Sequence, residues 1–184
     1  MKKITWALLL ALFVLPVAAA TLAGVSMDDT TTAGGANLVL NGMALRTKLF
    51  VKVYVGGLYL PAKEKDAAKV LAADAPRRMV MHWIYAVDNA KICEGWQEGL
   101  AANTPNASAE VKADFQKLCS MTNGAEKGDR LVFTYLPGQG TQVEVKGADK
   151  GTIAGKAFAD ALLACWIGPK PGPGEDFKKA LLGG

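Results

Sequence analysis

The order in which two-residue and 3.6-residue periodicities follow one another constrains this chain most. Alternation is clear in Phe50, Val51, Lys52, Val53, Tyr54 and Val55, so Leu38 to Arg46 and Phe50 to Leu60 read as strands closed by Pro61. Lys63 to Ala73 is rich in Ala and Lys and reads as a helix ending before Pro76, and Arg78 to Tyr85 returns to strand composition. Ile92, Trp96 and Leu100, then Val111, Phe115 and Leu118, lie at helical spacing, which predicts helices over Asn89 to Asn103 and Ser108 to Met121. Arg130 to Leu136 and Thr141 to Lys146 are short strand runs around Pro137-Gly138-Gln139-Gly140, a hairpin signal. Gly151 to Trp166 and Glu175 to Leu182 read as two further helices.

Strand clusters separated by grouped helices, without strict βαβ alternation, predict an α+β domain in which an antiparallel sheet is covered on one face by helices. Thr21 to Ala36, rich in Thr, Gly and Ala, reads as a flexible lead-in, so the domain is expected to span 37–184.

Before the lead-in, Lys2 and Lys3 precede an apolar run from Trp6 to Val17 and the small residues Ala18, Ala19 and Ala20. This is the pattern of a signal peptide over 1–20, cleaved after Ala20, and it implies a periplasmic or secreted protein. The run is about a dozen residues, short of the ~20 that a spanning helix needs, so a chain that does not span the membrane is expected. The formal charge of +4 falls to +2 once Lys2 and Lys3 are removed. That near balance excludes the clustered basic footprint of a nucleic-acid binder.

Few residues carry chemistry. His82 is the only histidine, so neither a histidine-based metal site nor a Ser-His-Asp relay has its parts, and a structural role is expected for it. Gly138-Gln139-Gly140 lacks the third glycine and the helix of a dinucleotide loop. No metal and no cofactor is expected. Trp83, Tyr85 and Trp96 are candidates for the wall of an apolar cleft, or plain core aromatics; Trp166 reads as core. Cys93 and Cys119 lie nearly symmetrically about the turn at Asn106 between two helices. An oxidising compartment would join them; otherwise they and Cys165 are small buried hydrophobes.

Gly42-Met43-Ala44-Leu45-Arg46-Thr47-Lys48 and Phe50 to Leu60 resemble the first strands of the chalcone-isomerase-like proteins. Lys127-Gly128-Asp129, the Pro137 to Thr141 hairpin, Phe158 to Gly168 and Leu181-Leu182-Gly183 follow in the order of the exported bacterial branch. The resemblance covers Leu38 to Gly183. It implies the chalcone isomerase fold, an open-faced β-sandwich with a large antiparallel sheet and a layer of helices around an apolar cleft.

The resemblance also implies where a ligand would sit. In fatty-acid-binding relatives an arginine and a tyrosine of the early strands hold a carboxylate, and Arg46 and Tyr54 match those positions. An Arg fork donates bidentately to a carboxylate and a Tyr hydroxyl adds one donor. On one straight strand the two would stand roughly 26 Å apart, so the chain must turn or bulge within Thr47 to Leu49. Lys48 and Lys52 read as rim charges. Without the resemblance, Arg46 is a surface residue and Tyr54 a half-buried strand residue.

Three functions remain open. The first is an exported noncatalytic binder of a small amphipathic acid such as a fatty acid. The second is a chalcone-type isomerase, an intramolecular lyase, with Arg46 stabilising an enolate and Tyr54 as proton donor. Tyr54 stands where the resemblance places the enzymes' catalytic threonine, which weakens that reading. The third is an envelope protein that docks a protein partner and takes no small ligand.

Overall fold

The computed structural model describes residues 19–184; all but the last two residues of the stretch 1–20, read above as a signal peptide, lie outside them. β1 (Ala19–Leu22) and β2 (Val25–Asp28) form a two-stranded hairpin. β3 (Thr30–Ala33), β4 (Ala36–Lys48), β5 (Val51–Leu60), β6 (Arg77–Trp83), β7 (Arg130–Leu136), β8 (Gly140–Val145) and β9 (Ala148–Ile153) form one antiparallel sheet in sequence order. Five helices, α1 (Ala67–Ala72), α2 (Asn89–Asn103), α3 (Ala109–Met121), α4 (Lys156–Ile167) and α5 (Glu175–Leu181), complete the α+β domain.

Two strand assignments differ from the sequence expectation. The stretch Thr21 to Ala36 is not a flexible lead-in: it carries the end of β1, all of β2 and β3, and the first residue of β4, and buries Val25, Met27 and Ala33. Its alternation in Val25-Ser26-Met27-Asp28 is too short to stand out among threonines and glycines, yet the sheet face it covers supplies the partners. The domain therefore begins before residue 37. Likewise Gly151 to Ile153 is the end of an edge strand, and α4 starts only at Lys156. β9 has one buried residue, Ile153, so it carries no apolar alternation of its own.

Each sheet face has its own core. On one face Val25, Met27, Leu38, Leu40, Val55, Tyr59, Val80 and Val132 pack together beneath the β1–β2 hairpin. The Tyr59 hydroxyl fixes that hairpin by donating to the Asp28 carbonyl at 2.9 Å. On the other face the helices bury the larger cluster, with Leu58, Met79, Leu131, Phe115, Phe158 and Ile167 inside it.

α4 is buried almost all round, as expected of a helix at the centre of a domain. α1 starts on Asp66, whose carboxylate accepts from the Ala68 amide at 2.8 Å, and α3 starts on Ser108. α5 lies directly on β4, because Gly42 has no side chain to hold it off: a Cβ there would run into the backbone oxygens of Ala180 and Leu181.

A disulfide joins Cys93 on α2 to Cys119 on α3, whose Cα atoms are 5.5 Å apart. Closing this loop removes denatured-state entropy, and the chain-entropy relation gives about 3.5 kcal/mol for it. The Cys93→Ser/Cys119→Ser variant is expected to melt on the order of 10 °C lower in calorimetry. An unchanged melting temperature would show that packing of α2 on α3 suffices alone.

Candidate ligand site

The chain reverses between Arg46 and Tyr54 through a two-residue turn at Leu49-Phe50, and a register shift next to Arg46 absorbs the odd residue. Arg46 thereby becomes the direct cross-strand partner of Tyr54, and Tyr54 in turn of Trp83 on β6. Direct partners share a face with Cβ atoms about 5 Å apart. Arg46, Tyr54 and Trp83 therefore form one row across three strands, on the face that the helices cover.

The polar atoms of this row are only partly used. Arg46 donates one guanidinium N–H to the Pro173 carbonyl at 2.8 Å, leaving most of a five-donor fork for other acceptors. The Tyr54 hydroxyl accepts from the Trp166 indole N–H at 3.1 Å, and no acceptor for its own proton occurs among the described residues. The Trp83 Nε1–H is buried with no partner among the described residues. A buried donor without a partner costs about 1–3 kcal/mol, and this one lies across Tyr54 from the Arg46 strand position.

Burial holds the Tyr54 phenol well above its ordinary range; the Trp166 hydrogen bond and the Arg46 charge oppose that only in part. Tyr54 thus keeps its proton at any physiological pH and acts as a neutral donor. Its ring packs tilted against Trp83, centroids 5.1 Å apart, and edge-on to Phe177 of α5 at 5.7 Å. These rings bound the row on the sheet side and the helix side.

Trp166 extends the site inward. Its ring stacks on Phe133 at 6.0 Å and forms one wall of a cavity of about 20 Å³ shared with Leu58, Arg77, Met79 and Leu162. The hydroxyl of Thr141, also on that wall, is buried and unpartnered. A space of this size holds about one water. A larger cavity of about 290 Å³ lies between α1 and the sheet, lined by Leu60, Val70, Ala73, Pro76 and Arg77, away from the Arg46–Tyr54–Trp83 row.

The structure brings Arg46, Tyr54 and Trp83 together, and places Trp96 in the core behind Phe133, edge-on at 5.9 Å. Tyr85 does not wall the interior: it follows β6 and is 55% exposed. Trp166, which reads as core from sequence, is both core and part of the site. Its link to Tyr54 spans 112 positions, a distance at which no local pattern signals a contact. His82 lies next to Trp83 in β6 and so faces the opposite side of the sheet, paired with Val55 and Arg130.

A second polar cluster is saturated. Arg77, buried on β6, bonds Asp160 of α4 at 2.5 Å and lies over the Tyr135 ring, 4.8 Å from its centroid. Asp160 also binds Lys156 at 2.6 Å, and the Tyr135 hydroxyl donates to Asp74 at 2.6 Å. Every group there has a partner, so the cluster reads as a brace between α1, the sheet and α4.

A curled seven-stranded antiparallel sheet clasped on one face by helices is the architecture of the chalcone isomerase fold. The chain belongs to the chalcone isomerase-like family, whose model matches residues 19–183. Among solved structures, a fatty-acid binding protein of Arabidopsis thaliana is similar in fold, with a TM-score of 0.71 and 15% identity, over 90% of this chain and 96% of that one. No curated protein matches the sequence. Among the described residues no helix is long and apolar enough to cross a membrane.

Proposed function

We propose that this is an exported, noncatalytic binding protein for a small amphipathic acid, a fatty acid being the family-level expectation. The observation that carries the reading is the row itself. Arg46 keeps free donors, Tyr54 has a proton to donate, and the buried Trp83 N–H lacks an acceptor. A carboxylate offers up to four lone-pair sites, which such a set of donors would satisfy together. In this reading the carboxylate replaces the Pro173 carbonyl on Arg46.

The tail then runs between sheet and helices along Trp166. It needs more space than the cavity there, so binding includes outward movement of α5 and of the segment between Gly168 and Gly174, which carries Pro169, Pro171 and Pro173. The similarity to a fatty-acid binding protein supports the same ligand class, and the amino-terminal pattern supports export. A second reading, an envelope protein that docks a partner and takes no small ligand, is favoured by the small size of the cavity beside Trp166.

Tryptophan emission separates the two, because Trp83 and Trp166 both touch Tyr54. Titration with palmitate is expected to change emission saturably at one equivalent, whereas hexadecanol, the same chain without a carboxylate, leaves it unchanged. No response to either compound moves the reading to partner docking.

A further inference from the structure

The β4–β5 hairpin closes on Leu49 and Phe50, with Lys48 and Val51 paired across them. Both turn residues have positive φ, 46° and 70°. A two-residue turn left-handed at both positions is the one that Asn and Gly dominate, since a side chain is disfavoured there. Leu and Phe are the wrong residues for this turn. Nor do they pack: Leu49 is 84% exposed and Phe50 99%. Neither turn chemistry nor the core accounts for them, and such an outlier points to a use outside the fold.

Their surroundings narrow that use. Val51 and Tyr85 add exposed apolar surface at the same end of the molecule, where the Tyr85 amide donates to the Val53 carbonyl at 3.2 Å. Lys48 and Lys52 flank the turn and are exposed. From Thr30 to Lys63 the chain holds Arg46, Lys48, Lys52 and Lys63 and no acidic residue. Of the acids near the end of β6, Asp88 and Asp129 are paired with Lys91 and Lys146, and Glu126 is exposed next to Lys127. An apolar apex of two residues offers far less than the ~800 Å² per partner of an ordinary protein interface. A bilayer, by contrast, accepts a convex apex: the apolar tip enters the acyl boundary, lysines meet anionic headgroups, and a tyrosine sits at the interface.

We infer that the β4–β5 hairpin tip docks this protein on an anionic lipid surface, with Leu49 and Phe50 inserted and Lys48 and Lys52 on the phosphates. Arg46 lies three residues from the tip on the same hairpin, so docking would bring the ligand row close to a source of amphipathic acids. That consequence rests on the proposed function; the docking does not.

The test is sedimentation of the purified protein with vesicles of phosphatidylcholine, with and without phosphatidylglycerol, at low salt. Binding is expected only to the anionic vesicles. Leu49→Asn/Phe50→Gly installs the residues the turn favours, so its melting temperature is expected to hold or rise while partitioning falls more than about 100-fold. Lys48→Gln/Lys52→Gln is expected to lower partitioning roughly 30-fold and to flatten its salt dependence. Equal binding to neutral vesicles, or a Leu49→Asn/Phe50→Gly variant that binds like the wild type, overturns the proposal. So does a dimer that this variant dissociates while no vesicle binds, which would assign the tip to a second copy of the chain.

Discussion

Truncating Asp160 to alanine is expected to lower the unfolding free energy by about 3–5 kcal/mol, measured by urea denaturation. The reason lies in Arg77, whose side chain is 5% exposed and whose one anionic partner is Asp160. Its other contacts are two long bonds to the Val70 and Ala73 carbonyls, both 3.4 Å, and the face of Tyr135. Removing the carboxylate leaves a guanidinium charge inside the protein and also takes away the ion-pair partner of Lys156, one turn earlier on α4. Asp160→Asn keeps a hydrogen-bond acceptor but not the charge and is expected to lose less. Equal losses for the two variants would mean that the charge, and not the hydrogen bond, is what the brace supplies.

Arg46→Ala is expected to weaken binding of a long-chain fatty acid by roughly 10- to 100-fold, the worth of a hydrogen bond to a charged group. Stability should change little, since Arg46 is half-buried and makes one bond, to Pro173. Arg46→Lys keeps the charge but loses the planar fork, so it should fall between wild type and alanine. Isothermal titration with the three proteins orders them. If alanine binds as tightly as arginine, the head group is held elsewhere, and the Thr141 hydroxyl beside the inner cavity becomes the next place to look.

Much of the fold could be read from the sequence where one face of an element is buried. β4 and β5 alternate, and α2 and α3 repeat at helical spacing, because each has a core side and a solvent side. Reading failed at the edges. β1 to β3 are short and threonine-rich, and β9 has only Ile153 buried, so their pairing is imposed by the strands beside them. The turn at Leu49-Phe50 carries no Asn, Gly or Pro and could be expected only from the need to bring Arg46 back to Tyr54.

The site was legible in part for a similar reason. Arg46 and Tyr54 follow from the resemblance in β4 and β5, and the turn makes them partners. Trp83 was visible as an aromatic, but its unpartnered N–H is a property of three-dimensional packing. Trp166 meets Tyr54 only because α4 crosses the sheet. Tyr85 continues the β6 pattern by two residues, but the strand ends at Trp83 and the ring turns outward.

Native mass spectrometry of the protein purified from its source compartment, with denaturing extraction of whatever accompanies it, tests the central claim most directly. One stoichiometric amphipathic acid is expected on the wild type, and its loss from Arg46→Ala. A wild-type protein that carries no small molecule and also takes up none on incubation with fatty acids would contradict it.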